Sequence, residues 1–105
     1  MSQFIYVLKP VRLAMLTDGP TEAEAEAVQA HINFLESQAA VGSVMLAGRT
    51  QTADEETFGL VILEADSEAA ARLLMASDPA VAGGAMTARL FPYQIAVLSG
   101  ALKRS

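Results

Sequence analysis

Cysteine and tryptophan are absent from this 105-residue chain, histidine occurs once, and only 18% of the residues are charged. Without cysteine there is no disulfide, no thiolate zinc site and no cysteine nucleophile, and with one histidine a metal site would have to be rich in carboxylates. No such cluster stands out, so neither a metal nor a cofactor is expected. Basic residues are also few, seven against twelve acidic ones, and the net charge is −5 with a pI near 4.6. The scattered cations lack the positive footprint that nucleic acid or an anionic membrane requires, and neither is expected as a partner. No apolar run reaches the length of a membrane span and no basic leader precedes one, which predicts a cytoplasmic protein.

Apolar side chains are plentiful, at 52% of residues, which excludes disorder and means that much apolar surface must be hidden. The length suits one domain over 1–105 with a single core. Order is expected over about 1–98, and the tail from 99 to 105 reads as mobile.

The clearest unit runs from Thr21 to Arg49. Thr21 and Glu24 have the spacing of a capping box, in which hydroxyl and carboxylate each satisfy an orphan amide of the first turn. Pro20 and the glutamates at 22, 24 and 26 agree with a helix start there, and Gly42 is placed to end it. Val28, Ile32, Leu35 and Ala39 fall on one stripe, predicted to face a core. His31 lies on the flank of that stripe, in a row with Ala27, Phe34 and Gln38, where a side chain can line a cleft.

Around this helix, residues 3–8 read as a first strand that is apolar on both parities, and residues 9–20 as a connection carrying Lys9 and Arg12. Residues 43–49 and 58–64 read as a hairpin joined by the acidic loop at 50–57. A second helix over 67–77 is capped by Asp66 or Ser67 and stopped by Pro79. A last strand spans 85–98, with Pro92 marking a bulge, an edge or a break. The order βαββαβ is the ferredoxin-like split β-α-β of the α+β class, an antiparallel sheet with two helices on one face. Strands apolar on both parities leave the opposite face without cover from this chain, which predicts a homodimer packed sheet to sheet, a dimeric α+β barrel.

Each candidate site residue has a plain structural reading beside its chemical one. His31 has a ring suited to acid/base work, and equally suits a partly buried histidine bonded to a carbonyl. Asp78 sits at a helix C-terminus, where the dipole disfavours an anion, yet Asp-Pro is also a common helix exit. If the helices lie side by side, Asp78 approaches His31 and orients it. Arg49, Arg12, Lys9 and Arg89 are candidates for holding an anionic group, or are surface charges; Tyr6 and Tyr93 line a pocket or pack in a core.

The segments QAHINFLESQAAVGSVMLAGR, FGLVILEADSEAAARLL, SDPAVAGG and LFPYQIA together resemble the YCII-related (YciI-like) family of small bacterial proteins. The resemblance spans about Ala25 to Val97 and rests on the histidine, the glycine and the Asp-Pro in that order. It implies the ferredoxin-like dimer and an active site in which His31 and Asp78 pair in a cleft. Two positions depart from the family pattern. Arg49 stands where many members have proline after the glycine, and Ala80 where many have an aromatic after Asp-Pro; both alter the pocket wall.

The leading expectation is therefore a homodimeric enzyme on a small organic substrate, with His31 as general acid/base, Asp78 as its partner, and Arg49 or Arg12 holding a carboxylate or phenolate. The reaction class is an isomerase, lyase or dehydrohalogenase-like proton transfer. The alternatives are a non-catalytic ligand-binding or accessory dimer of the same fold and, third, a cofactor-independent monooxygenase.

Overall fold

The computed structural model describes residues 1–102. The chain runs through β1 (Ser2–Pro10), α1 (Ala14–Thr17), α2 (Glu22–Ala40), β2 (Val44–Arg49), β3 (Gly59–Ala65), α3 (Glu68–Ser77), α4 (Pro79–Ala82) and β4 (Met86–Tyr93), and then a single 3-10 turn at Gly100–Leu102. The result is an α+β fold in which one four-stranded antiparallel sheet, ordered β2-β3-β1-β4, carries the helices.

Side chains alternate between the two faces of a strand, so the register sorts them into rows across the sheet. Ala47, Val61, Tyr6 and Leu90 form one row, and Val44, Leu63, Phe4 and Pro92 the next. These belong to the face that meets the helices. Phe4, Tyr6, Leu8, Val61 and Leu63 are buried there with Ala71 and Met75 of α3, and Leu35 of α2 packs against the same cluster. On the opposite face Leu46, Ile62, Ile5 and Phe91 make an apolar row through all four strands. Its ends are open, with Leu46 and Phe91 both 38% exposed.

The predicted helix start is present atom for atom. The Thr21 hydroxyl accepts from the Glu24 amide at 3.1 Å, and the Glu24 carboxylate accepts from the Thr21 amide at 2.8 Å. Gly42 has φ +87°, the left-handed conformation a helix exit favours, and its amide reaches the Ala39 carbonyl at 3.1 Å. Ser67 caps α3 by accepting from the Ala70 amide.

Three expectations are corrected. The connection at 9–20 contains the one-turn helix α1, which buries Met15. A further turn, α4, follows Pro79, because proline is suited to the first position of a helix as much as to stopping one. The last strand ends at Tyr93 rather than at 98, since β4 is an edge strand whose single neighbour β1 runs out: Tyr93 already pairs with Gln3. Pro92 is tolerated at this edge, where the missing N–H interrupts no second ladder. Of the tail at 99–105, residues 100–102 form the 3-10 turn and residues 103–105 lie outside the described residues. Among the described residues no helix is long and apolar enough to cross a membrane.

Candidate active site

The first helix stripe turns out to border open space. Val28, Ile32, Leu35 and Ala39 line a cleft of about 580 Å³ between α2 and the β2–β3 side of the sheet, and no residue of α2 is fully buried. The volume lies in the usual range for small-molecule sites. Leu8, Val44 and Val61 floor the cleft, Met15 and Leu16 of α1 close one side, and the polar lining side chains are His31, Glu36, Arg49 and Thr57.

His31 is fixed by Asp78. Its Nδ1 lies 2.7 Å from Oδ1 and 2.9 Å from Oδ2 of a carboxylate that is 0% exposed, while the His31 side chain keeps 12% of its surface open. Asp78 takes two more hydrogen bonds, from the Tyr6 hydroxyl to Oδ2 at 2.8 Å and from the Ala80 amide to Oδ1 at 3.0 Å. Three elements therefore converge: the middle of α2, the junction of α3 and α4, and the centre of β1. Ala80 supplies its amide because Asp78 is the N-cap of α4, so the anion that is misplaced with respect to α3 is well placed with respect to the next turn. Gly83 helps bring α4 against α2. A Cβ there would lie 2.8 Å from the Pro79 carbonyl and 3.8 Å from Ala27 Cβ, one turn from His31.

A carboxylate oxygen accepts, so the proton on Nδ1 is donated to Asp78 and Nε2 lies on the opposite edge of a ring that lines the cleft. A carboxylate that locks an imidazole in this way is the arrangement of histidine-based acid/base catalysis. Tyr6 stays a phenol: burial first, and then its bond to Asp78, push its hydroxyl well above the ordinary tyrosine range. Among the described residues no buried side-chain polar atom lacks a partner.

The two catalytic candidates read from the sequence are thus in direct contact. The substrate-binding pair separates. Arg49 lines the cleft, whereas Arg12 is outside it, its guanidinium 2.8 Å and 3.0 Å from the Glu24 carboxylate. Lys9 donates to the Glu55 carbonyl, and Arg89 stacks 5.2 Å from the centre of the Phe91 ring on the outer sheet face. Tyr6 is the residue that sequence reasoning undervalued. A tyrosine in the middle of an otherwise apolar strand signals a buried hydroxyl in need of a partner.

The YCII-related domain matches residues 8–92. The chain belongs to the YCII-related family. No curated protein sequence matches the chain. Among solved structures it is similar to the 5-chloro-2-hydroxyhydroquinone dehydrochlorinase (TftG) from Burkholderia phenoliruptrix AC1100 in complex with 2,5-dihydroxybenzoquinone. The likeness has a TM-score of 0.60 at 18% identity and covers 87% of this chain and 93% of that one. At that identity the likeness speaks for the fold alone.

Proposed function

We propose that this chain is a cofactor-independent enzyme on a small organic substrate, with His31 as the general base and acid and Asp78 as the group that orients it. The reading is carried by one observation: the wall of an apolar cleft holds a histidine whose Nδ1 is locked on a buried carboxylate. Nε2 takes a proton from the substrate, the freed electron pair forms a new double bond, and either a leaving anion departs or the proton returns at another atom. The first course is an elimination such as dehydrohalogenation, and the second an isomerisation. The dehydrochlorinase likeness favours the first.

A homodimer belongs to the same proposal. The row of Leu46, Ile62, Ile5 and Phe91, with Tyr93 44% exposed beside it, is an apolar face that a second copy buries by an isologous contact. Sedimentation at micromolar concentration is expected to give twice the chain mass, and Ile5→Lys to give the monomer. A wild-type monomer overturns this part.

His31→Asn tests the chemistry, because an amide nitrogen can still donate to Asp78 while no base remains. With chloro-substituted hydroxyhydroquinones as probes, chloride release is expected to fall roughly 10²- to 10⁴-fold with the melting temperature nearly unchanged. A variant as fast as wild type overturns the acid/base role. The bonds that Asp78 takes from Tyr6 and Ala80 favour a second reading, in which the whole cluster is structural and the protein is a ligand-binding dimer without catalysis. That reading expects no turnover by wild type and unchanged ligand affinity in His31→Asn.

A further inference from the structure

Strand β2 does not keep one alternation along its length. Val44 pairs with Leu63, but two residues later Leu46 pairs with Ile62, so an extra residue is inserted at Met45. A bulge of this kind shifts the parity of everything after it, and bulges commonly re-aim a side chain beside a site. Without it, Arg49 would share the outer face with Met45 and Ala47. With it, Arg49 pairs with Gly59, in the row that Leu8 continues on the helix side of the sheet. Gly59 leaves that row open. A Cβ at Gly59 would sit 3.3 Å from the Gly48 carbonyl oxygen and 3.8 Å from both Arg49 Cβ and Leu8 Cβ, at the cleft margin.

Arg49 makes no side-chain hydrogen bond or ion pair among the described residues, unlike Arg12 with Glu24 and Arg72 with Glu68. It is the one arginine or lysine among the residues lining the cleft, and the charge of opposite sign there, Glu36, lies on α2 across the opening and is not within ion-pair distance. The remaining lining is almost wholly apolar. A guanidinium presents a planar fork of donors that matches a carboxylate or a phenolate oxygen.

We infer that the β2 bulge delivers Arg49 as the anion-recognising group of the cleft, so that the preferred ligand is a small aromatic or apolar monoanion whose anionic group sits at the β2 margin. This rests on the cleft being the site proposed above. It does not require that His31 be catalytic.

The test is therefore made by binding, without turnover. Calorimetric affinities of benzoate and 2-naphthoate are compared with those of their neutral amides, at neutral pH and low salt, for wild type, Arg49→Gln and His31→Asn. Wild type is expected to bind each acid about tenfold more tightly than its amide, which corresponds to about 1.4 kcal/mol. Arg49→Gln is expected to lose the preference while its amide affinities and melting temperature hold, and His31→Asn to keep it. An acid that binds wild type no more tightly than its amide, including a failure of both to bind, overturns the inference. So does a preference that survives in Arg49→Gln, or one lost in His31→Asn alone, which assigns the anion to the imidazole. If the preference behaves as expected while His31→Asn leaves turnover untouched, the acid/base proposal fails and Arg49 keeps its role.

Discussion

Helix α3 sets Ala71 and Met75 against the sheet with almost no surface left open, whereas α2, with 19 residues to the 10 of α3, has no buried residue at all. Both helices carry an apolar stripe, and both lie on the same face of the sheet. The difference is what lies underneath. Below α3 side chains close on β1 and β3 as in any protein interior, while below α2 the small residues Ala47 and Gly59 leave the cleft unfilled. Besides the packing of Leu35, helix α2 is tied down by polar contacts: the Arg12 pair at its start and the His31 pair with Asp78 at its middle. One helix is placed by burial and the other largely by polar contacts, and the cleft lies under the second.

The largest expected difference between the two regions is functional. Replacing His31 by asparagine removes the proposed base and is expected to abolish turnover roughly 10²- to 10⁴-fold with little change in stability. No substitution confined to the α3 contact with the sheet is expected to separate activity from stability in that way. If Met75→Ala lowered turnover as much as His31→Asn while still folded, the division between a packing helix and a site helix would be wrong.

Stability gives the next contrast. Met75→Ala opens an enclosed void and is expected to cost about 2–4 kcal/mol in denaturant unfolding. Leu35→Ala removes a side chain that is only half-buried and borders open space, so it is expected to cost about 1 kcal/mol, largely the transfer of its lost carbons. Equal costs would mean that the cleft is closed in solution and that α2 is packed as tightly as α3.

The sequence was most informative where a local rule has one solution. The Thr21 and Glu24 spacing permits little besides a capping box. The short helices α1 and α4 left no periodic trace, since four residues do not complete a stripe. The contact of His31 with Asp78 spans 47 residues and depends on how closely α4 approaches α2 at Gly83, which no local pattern encodes. The bulge at Met45 was equally hidden. Read as a plain strand, residues 43–49 put Arg49 on the same side as Met45, and only the pairing with β3 reverses it. Arg12 and Arg49 looked alike as isolated cations, and what separates them is the nearest carboxylate in space.

The smallest expected effect tests whether polar contacts at its start hold α2. Glu24→Gln retains a side chain that can complete the capping box, so the change isolates the charge that faces Arg12. Mainly because it bonds Arg12, and next because it accepts the Thr21 amide, the Glu24 carboxyl is held at about 2, below its ordinary 4.5. A carboxyl depressed by folding contributes stability that is fully present above its unfolded value and is lost as the pH falls through the folded one. The melting temperature of Glu24→Gln is therefore expected to lie slightly below that of wild type above pH 4.5, and the gap to close between pH 4.5 and about 2. High salt should narrow the gap as well, because the pair is at the surface. A deficit of the same size at every pH and salt concentration would place the loss in the geometry of the cap, and the charge of Glu24 would then have no part in holding the helix over the cleft.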